Sequence, residues 1–300
     1  MSKPSLSELL SPRLLARIDD YQLLSRLAVE GLLAGLQRSH CLGGGSEFLQ
    51  YREYVAGDEL KYLDWKLLAR QDKAYTKQFQ QETNMRCAIL LDASASMNYQ
   101  GETAACSKFR YAAIIAACIA YLAQKQGDQV SICVYSDREL LSRPGSRERS
   151  LGALLSALEH ISAGGKTDHE LALRFVANAL KRRSLIVWLS DFHHYETRLG
   201  AALGAFRLSG HDSMLCQILD EDELTLPFRQ TLRYVDSESN REISTSAGLI
   251  RQSYQQRLQR FLEHTRQSCL QEECDYRLAS TADNIGELLA AWLDKREAML

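Results

Sequence analysis

The sequence predicts an α/β fold: a mostly parallel sheet with helices on both faces. Three observations carry this. Four short apolar runs, at 87–92 (CAILLD), 129–136 (QVSICVYS), 184–191 (SLIVWLSD) and 213–219 (SMLCQIL), have the length of strands. They are apolar throughout, not at alternate positions, so both faces of each strand need cover. Segments with helical spacing separate them, the alternation that produces parallel strands joined by helical crossovers. The chain has 300 residues, 45% of them apolar and 25% charged, which supplies a core and argues against disorder.

Taken in order, residues 5–38 place leucines at helical spacing, with Pro12 suited to a first helical position and Ser11 to its N-cap, so one helix is expected to start there. Residues 41–46 (CLGGGS) form a Gly-rich break. Residues 47–82 are an aromatic and charged run, strand-like at 48–54 and 74–79 and helical between. Helices are expected at about 107–126, 149–161, 168–182 and 196–208. Beyond 220 the pattern gives strands at 231–235 and 276–279, a long helix at 247–271 and a last one at 283–294. The expected organisation is an N-terminal helical segment and aromatic block (1–84), an α/β domain (85–220) and C-terminal elements completing the fold (221–300).

Composition excludes several classes. The net charge of −2, from 36 basic and 38 acidic residues, leaves no global basic footprint for nucleic acid. The 8 cysteines include no CxxC pair, and Cys87, Cys118, Cys133 and Cys216 sit in apolar runs, so buried free thiols are expected instead of disulfides or a zinc site. Arg13, Arg17, Asp19 and Asp20 interrupt any secretory signal. The longest uncharged apolar stretch, 111–123, falls short of the roughly 20 residues a membrane span needs and reads as a buried helix. A cytoplasmic protein is expected.

The chemistry concentrates at strand ends. Asp92, Ser94 and Ser96 form D-x-S-x-S at the carboxyl end of the first apolar run. Thr167 follows the turn Gly164-Gly165, and Asp191 ends the third run. In open α/β sheets ligands bind outside the carboxyl ends of the strands. If the strands are parallel neighbours, five oxygen-bearing side chains gather at one edge. Carboxylates and hydroxyls are hard ligands that suit Mg²⁺, or Mn²⁺ or Ca²⁺, and not zinc. Local structural readings stand beside this one: a turn that caps the next helix for 92–96, an N-cap with Glu170 as capping-box partner for Thr167, and a helix cap for Asp191.

D-x-S-x-S, then a Thr after a Gly-rich turn, then an Asp ending an apolar strand resembles the metal-ion-dependent adhesion site of Rossmann-like von Willebrand factor A (VWA) domains, over roughly 85–220. The preceding block, with Ser46-Glu47-Phe48, Tyr51-Arg52-Glu53-Tyr54, Gly57-Asp58, Asp64-Trp65-Lys66, Ala69-Arg70, Tyr75, Lys77, Phe79 and Glu82, is similar to that of the bacterial family called domain of unknown function 58. The resemblance implies that Ser94 and Ser96 ligate the metal directly, Asp92 and Asp191 mainly through water, and Thr167 directly or through water. It also implies a partner that supplies a Glu or Asp to the ion, and association with a MoxR-type AAA+ ATPase. Many members of that family carry N-terminal membrane helices, from which this sequence departs.

Other features read as structural. Gly165-Lys166-Thr167 imitates a P-loop, but His160 stands where that motif needs Gly. His193 and His194 read as exposed loop residues, Arg143, Arg147 and Arg149 as a solvated loop or an acidic-partner patch, and Lys181-Arg182-Arg183 as cations at a helix C-terminus. Arg52, Trp65, Lys66, Arg70 and Lys77, balanced by Glu47, Glu53, Asp58, Asp64, Asp72 and Glu82, read as a network bracing the sheet. No hydrolase motif is present. The expected function is a non-enzymatic, metal-dependent protein-interaction module, an adaptor or cofactor of the ATPase. The alternative is a Mg²⁺-dependent hydrolase or phosphatase using the acidic edge.

Overall fold

The computed structural model describes residues 10–36, 48–53, 75–79, 85–143, 151–193 and 195–297. The strands are β1 (Phe48–Glu53), β2 (Tyr75–Phe79), β3 (Arg86–Asp92), β4 (Gln129–Tyr135), β5 (Glu139–Arg143), β6 (Leu185–Ser190), β7 (Asp212–Leu219), β8 (Thr231–Val235), β9 (Glu242–Ser246) and β10 (Asp275–Ser280). The helices are α1 (Pro12–Leu15), α2 (Tyr21–Leu36), α3 (Lys108–Lys125), α4 (Leu151–Glu159), α5 (His169–Ala179), α6 (Glu196–Leu208), α7 (Glu221–Thr225), α8 (Ala247–Gln271) and α9 (Ile285–Glu297).

The main sheet has six strands in the order β10-β7-β6-β3-β4-β5. All neighbours are parallel except β4 and β5. β1 pairs with β2, and β8 with β9, as separate antiparallel hairpins. The fold is therefore the expected mostly parallel sheet flanked by helices. The continuous apolar runs follow from it: on β3, Cys87, Ile89 and Leu91 face one core, and Ala88 and Leu90 face the other.

On the first face α3 lies against the sheet. Ser107 caps it, accepting from the Arg110 N–H, and Gly127, at φ +85°, follows its end in the left-handed region glycine favours. Ala112, Ala113, Ala116, Ala117 and Ala120 are fully buried, so the backbone approaches the strands closely. Residues 111–123 are a core helix, as their composition predicts, because α2 covers the outward side with Leu24, Ala28, Val29 and Leu32. Each buried Ile or Leu here contributes about 1.5–3 kcal/mol relative to exposure. On the second face α5, α6 and α8 cover an aromatic cluster around Trp188. There Trp188 Nε1 donates to the Tyr135 hydroxyl at 2.7 Å, and that hydroxyl lies 2.9 Å from His169 Nδ1.

Four expectations change. The single helix from Pro12 is two, because the Asp20 carboxylate accepts from the N–H groups of Gln22 (2.8 Å) and Leu23 (2.9 Å) and starts α2 afresh. Strands β5 and β9 were not expected; both are short and polar, and pairing with a neighbour makes them strands. Arg143 ends β5 and is not a loop residue, while Arg147 and Arg149 lie outside the described residues. α7 was not expected either; a capping box between Asp220 and Glu223 forms it. The strands expected at 48–54 and 74–79 are β1 and β2. Trp65, Lys66, Arg70, Asp58, Asp64, Asp72, Glu47 and Glu82 lie outside the described residues.

Cys87, Cys106, Cys118, Cys133, Cys216, Cys269 and Cys274 are buried and not joined in disulfides. No helix among the described residues is long and apolar enough to cross a membrane.

Candidate metal and protein-binding site

After β3 the chain crosses to β4 on one side; β6 then lies on β3's other side and leads away to β7. The order therefore reverses between β3 and β6, which opens a crevice at their carboxyl ends. Asp92 ends β3 and Asp191 follows β6, so both carboxylates sit at this crevice, 0% and 1% exposed.

Asp92 is held by its neighbours. Its Oδ1 accepts from the Ser94 N–H at 2.8 Å and its Oδ2 from the Ser190 hydroxyl at 2.7 Å. The first bond is the turn expected as the local structural reading, and it aims the loop. Ser94 then precedes a 3₁₀ turn, Ala95–Asn98, without capping it through its side chain. Its hydroxyl instead meets that of Ser96 at 3.1 Å, and Asp191 lies close enough to act on both Ser96 and Asp92. Four of the five expected residues are thus brought together.

Thr167 is positioned differently. Gly165, at φ +81°, turns the preceding loop so that its carbonyl accepts from Ala95 N–H (2.9 Å), while Gly164 N–H donates to Ala93 (2.8 Å). These bonds dock the loop on the D-x-S-x-S segment. The Thr167 hydroxyl donates to Glu238 Oε1 at 2.7 Å, and its N–H to Oε2 at 3.2 Å, rather than turning to the serines. It does not cap α5; Asp168 does. Nor does Asp191 cap α6, whose N-cap is Tyr195.

Lys108 was not anticipated. It is 0% exposed, and its ammonium lies 2.9 Å from Asp191 Oδ2 and 2.7 Å from Glu223 Oε1. The sequence signal was a lone lysine opening an apolar helix just after D-x-S-x-S. Glu223 is fixed by the α7 capping box, in which its other oxygen accepts from Asp220 N–H at 2.7 Å. His193 is the half-exposed turn residue expected, yet it is engaged: its Nε2 lies 3.5 Å from Glu223 and 3.9 Å from Asp191, and its ring stacks on Phe261. His194 lies outside the described residues.

These contacts split the two carboxylates. Burial, and then the charge of Asp191, push Asp92 up to about 7 against its hydrogen bonds. Burial would raise Asp191 too, but Lys108 and then His193 outweigh it and hold Asp191 well below the usual range. Burial disfavours the charged forms of Lys108 and His193, yet their acidic neighbours raise both. Lys108 and His193 thus sit beside Asp191 and Glu223, while Asp92 is met by neutral donors. Among the described residues no group of three or more His, Cys, Asp or Glu side chains is arranged to hold an ion, so a cation here would rest on hydroxyls.

A pocket of about 650 Å³ adjoins the crevice, lined by Ser96, Tyr99, His193 and Glu223 on one side and by Tyr234 and Glu238 of the β8–β9 hairpin on another.

The family described as "Protein of unknown function DUF58" matches residues 50–263. The chain is 24% identical over 247 residues to "Uncharacterized protein Rv1480" of Mycobacterium tuberculosis, covering 79% of this chain and 76% of that one. Among solved structures it is similar to the conserved hypothetical protein BatB from Bacteroides thetaiotaomicron (TM-score 0.45, 14% identity, 70% of this chain and 98% of that one). It is also similar to the SpRpn10 VWA domain (TM-score 0.43, 14% identity, 69% and 94%).

Proposed function

We propose that the chain, which belongs to the DUF58 family, is a non-enzymatic protein-binding module whose binding face is the crevice between β3 and β6, completed by a divalent cation. The observation that supports this is the convergence of Asp92, Ser94, Ser96 and Asp191 at the point where strand order reverses.

The residues present fit a hard cation. Neighbouring oxygens around Mg²⁺ at about 2.1 Å stand roughly 3.0 Å apart, and the Ser94 and Ser96 hydroxyls are 3.1 Å apart. In this reading Ser94 and Ser96 hold Mg²⁺ directly, Asp92 and Asp191 through water, and Thr167 directly or through water. Mn²⁺ or Ca²⁺ can substitute. A bound cation supplies an electrophilic position for an incoming Glu or Asp. Lys108 keeps Asp191 ionised; Ser190 and the Ser94 N–H orient Asp92. Binding is favoured over catalysis because the Ser94 hydroxyl meets another hydroxyl and not a base.

The partner we propose, from the family resemblance in the sequence, is a MoxR-type AAA+ ATPase in the cytoplasm, with this chain as its adaptor. Residues 85–220 would carry the site, 221–300 complete the fold, and 1–84 brace it. The test is a Mn²⁺ titration by electron paramagnetic resonance, with a pull-down of the candidate ATPase in Mg²⁺ and in EDTA. Wild type should bind Mn²⁺ and retain the ATPase only with metal, and Ser94→Ala/Ser96→Ala should do neither. Equal Mn²⁺ binding by the double variant, or retention of the ATPase in EDTA, would overturn the reading.

A further inference from the structure

The two bonds to Thr167 are made by a residue 71 positions away in sequence. Its N–H and hydroxyl grip both oxygens of one carboxylate, a two-point geometry that suits a carboxylate and no neutral group as well. The carboxylate belongs to Glu238, in the turn of the β8–β9 hairpin. That turn is built to present it. Asp236 Oδ1 accepts from the N–H of Glu238 at 2.9 Å, Asp236 N–H donates to the Arg241 carbonyl at 2.9 Å, and Asn240 sits in the left-handed region at φ +55°.

The hairpin is a separate two-stranded unit. Its strands bond only to each other and do not extend the main sheet. An isolated two-stranded hairpin is marginal and depends on its anchors. Its main neighbour is α8, and Val235 and Ile243 remain 47% and 66% exposed. Between the hairpin and the crevice lies the 650 Å³ pocket, whose wall includes both Glu238 and Ser96.

We infer that Glu238 is a built-in occupant of the carboxylate position at Thr167, so that the β8–β9 hairpin closes the site until an outside Glu or Asp replaces it. The inference rests on the binding function proposed above and adds its regulation. An outside carboxylate competes with one already tethered. Its apparent affinity is therefore its intrinsic affinity multiplied by the fraction of molecules with the hairpin open.

The experiment uses the full chain labelled with ¹⁵N-threonine and acetate as the probe carboxylate, in EDTA and in Mg²⁺. Titrations follow the Thr167 amide in wild type, Glu238→Ala, Glu238→Gln and Glu242→Gln. The last removes one charge from an exposed hairpin residue paired with Arg233 and controls for charge alone. Glu238→Ala and Glu238→Gln should respond at acetate concentrations at least about tenfold lower than wild type, with Glu242→Gln unchanged. Amide exchange at 231–246 should also quicken about tenfold in Glu238→Ala. Equal acetate dependence in wild type and Glu238→Ala, no Thr167 response in either, a gain in Glu242→Gln matching that in Glu238→Ala, or unchanged hairpin exchange would each overturn the inference. If the Glu238 gain persists in EDTA while wild type fails to bind Mn²⁺, the hairpin closure stands and the metal reading falls.

Discussion

The ends of β3 and β6 are neighbours in one sheet, each carrying a buried aspartate at the same crevice, yet their electrostatics diverge. Asp191 receives an ammonium at 2.9 Å, while Asp92 receives only neutral donors, Ser94 N–H and the Ser190 hydroxyl. Burial costs both carboxylates, but only one is offset by a permanent charge. The chain thus fixes one half of the crevice with an internal ion pair and the other with neutral hydrogen bonds.

The largest expected effect comes from removing the internal cation. Lys108→Met keeps most of the volume and leaves Asp191 and Glu223 with only His193 as a cationic neighbour. It should lower stability by about 3–5 kcal/mol in urea unfolding, and Mg²⁺ should restore part of the loss. A loss below about 1 kcal/mol would mean that solvent already screens the pair and that the contrast between the two aspartates is weaker than their surroundings imply.

Next in size is the pH dependence of Asp92. A carboxyl whose folded pKa of about 7 lies above its ordinary 3.8 binds its proton more tightly when folded. Its contribution is therefore fully present below about pH 4 and is lost as pH rises through 7. His169, pushed down to about 4 by burial, acts oppositely over much of the same range, favouring the folded state as pH rises. The diagnostic is thus a difference between proteins. On going from pH 5 to 8 in EDTA, wild type should lose thermal stability relative to Asp92→Asn, on the order of 5 °C. Mg²⁺ should shrink that difference, and parallel pH profiles in EDTA would remove the asymmetry.

Smaller is Gly165→Ala. At φ +81° an alanine is strained, and its Cβ would stand 2.7 Å from Asp137 Oδ1. Asp137 is exposed and can move aside, so the backbone sets the cost at about 1–2 kcal/mol. Because this loop docks Thr167, amide exchange at Ala95 should quicken; unchanged exchange would show that the loop does not depend on the glycine.

Smallest is the Ser94→Ala/Ser96→Ala pair in EDTA, where thermal unfolding should shift by less than the equivalent of about 1 kcal/mol, since each hydroxyl bonds mainly to polar neighbours at the crevice. A larger loss would assign these serines to the fold more than to binding.

The sheet and most of its helices were legible in the sequence because local signals and burial agree. An apolar run that is continuous must be covered on both faces, and it is, with Trp188, Leu90 and Ile132 buried accordingly. Asp92, Ser94, Ser96 and Asp191 were legible for the same reason: a strand end fixes where its next residue points. The polar strands β5 and β9 were not, because their strand character comes from a neighbour.

By itself the sequence determined the parallel sheet, the buried Ala-rich helix and which oxygen-bearing residues reach the carboxyl edge. Each depends on periodicity or on a residue's place at the end of a run, and both are local properties. Only the tertiary structure decided how those residues are charged and occupied. Lys108 lies 83 positions from Asp191 and 115 from Glu223 in sequence, and Glu238 lies 71 from Thr167. Nothing local distinguishes these from other lysines and glutamates. Their roles arise because strand order reverses between β3 and β6 and a separate hairpin folds back over the opening, so that Coulomb forces and desolvation act between groups that only the fold makes neighbours.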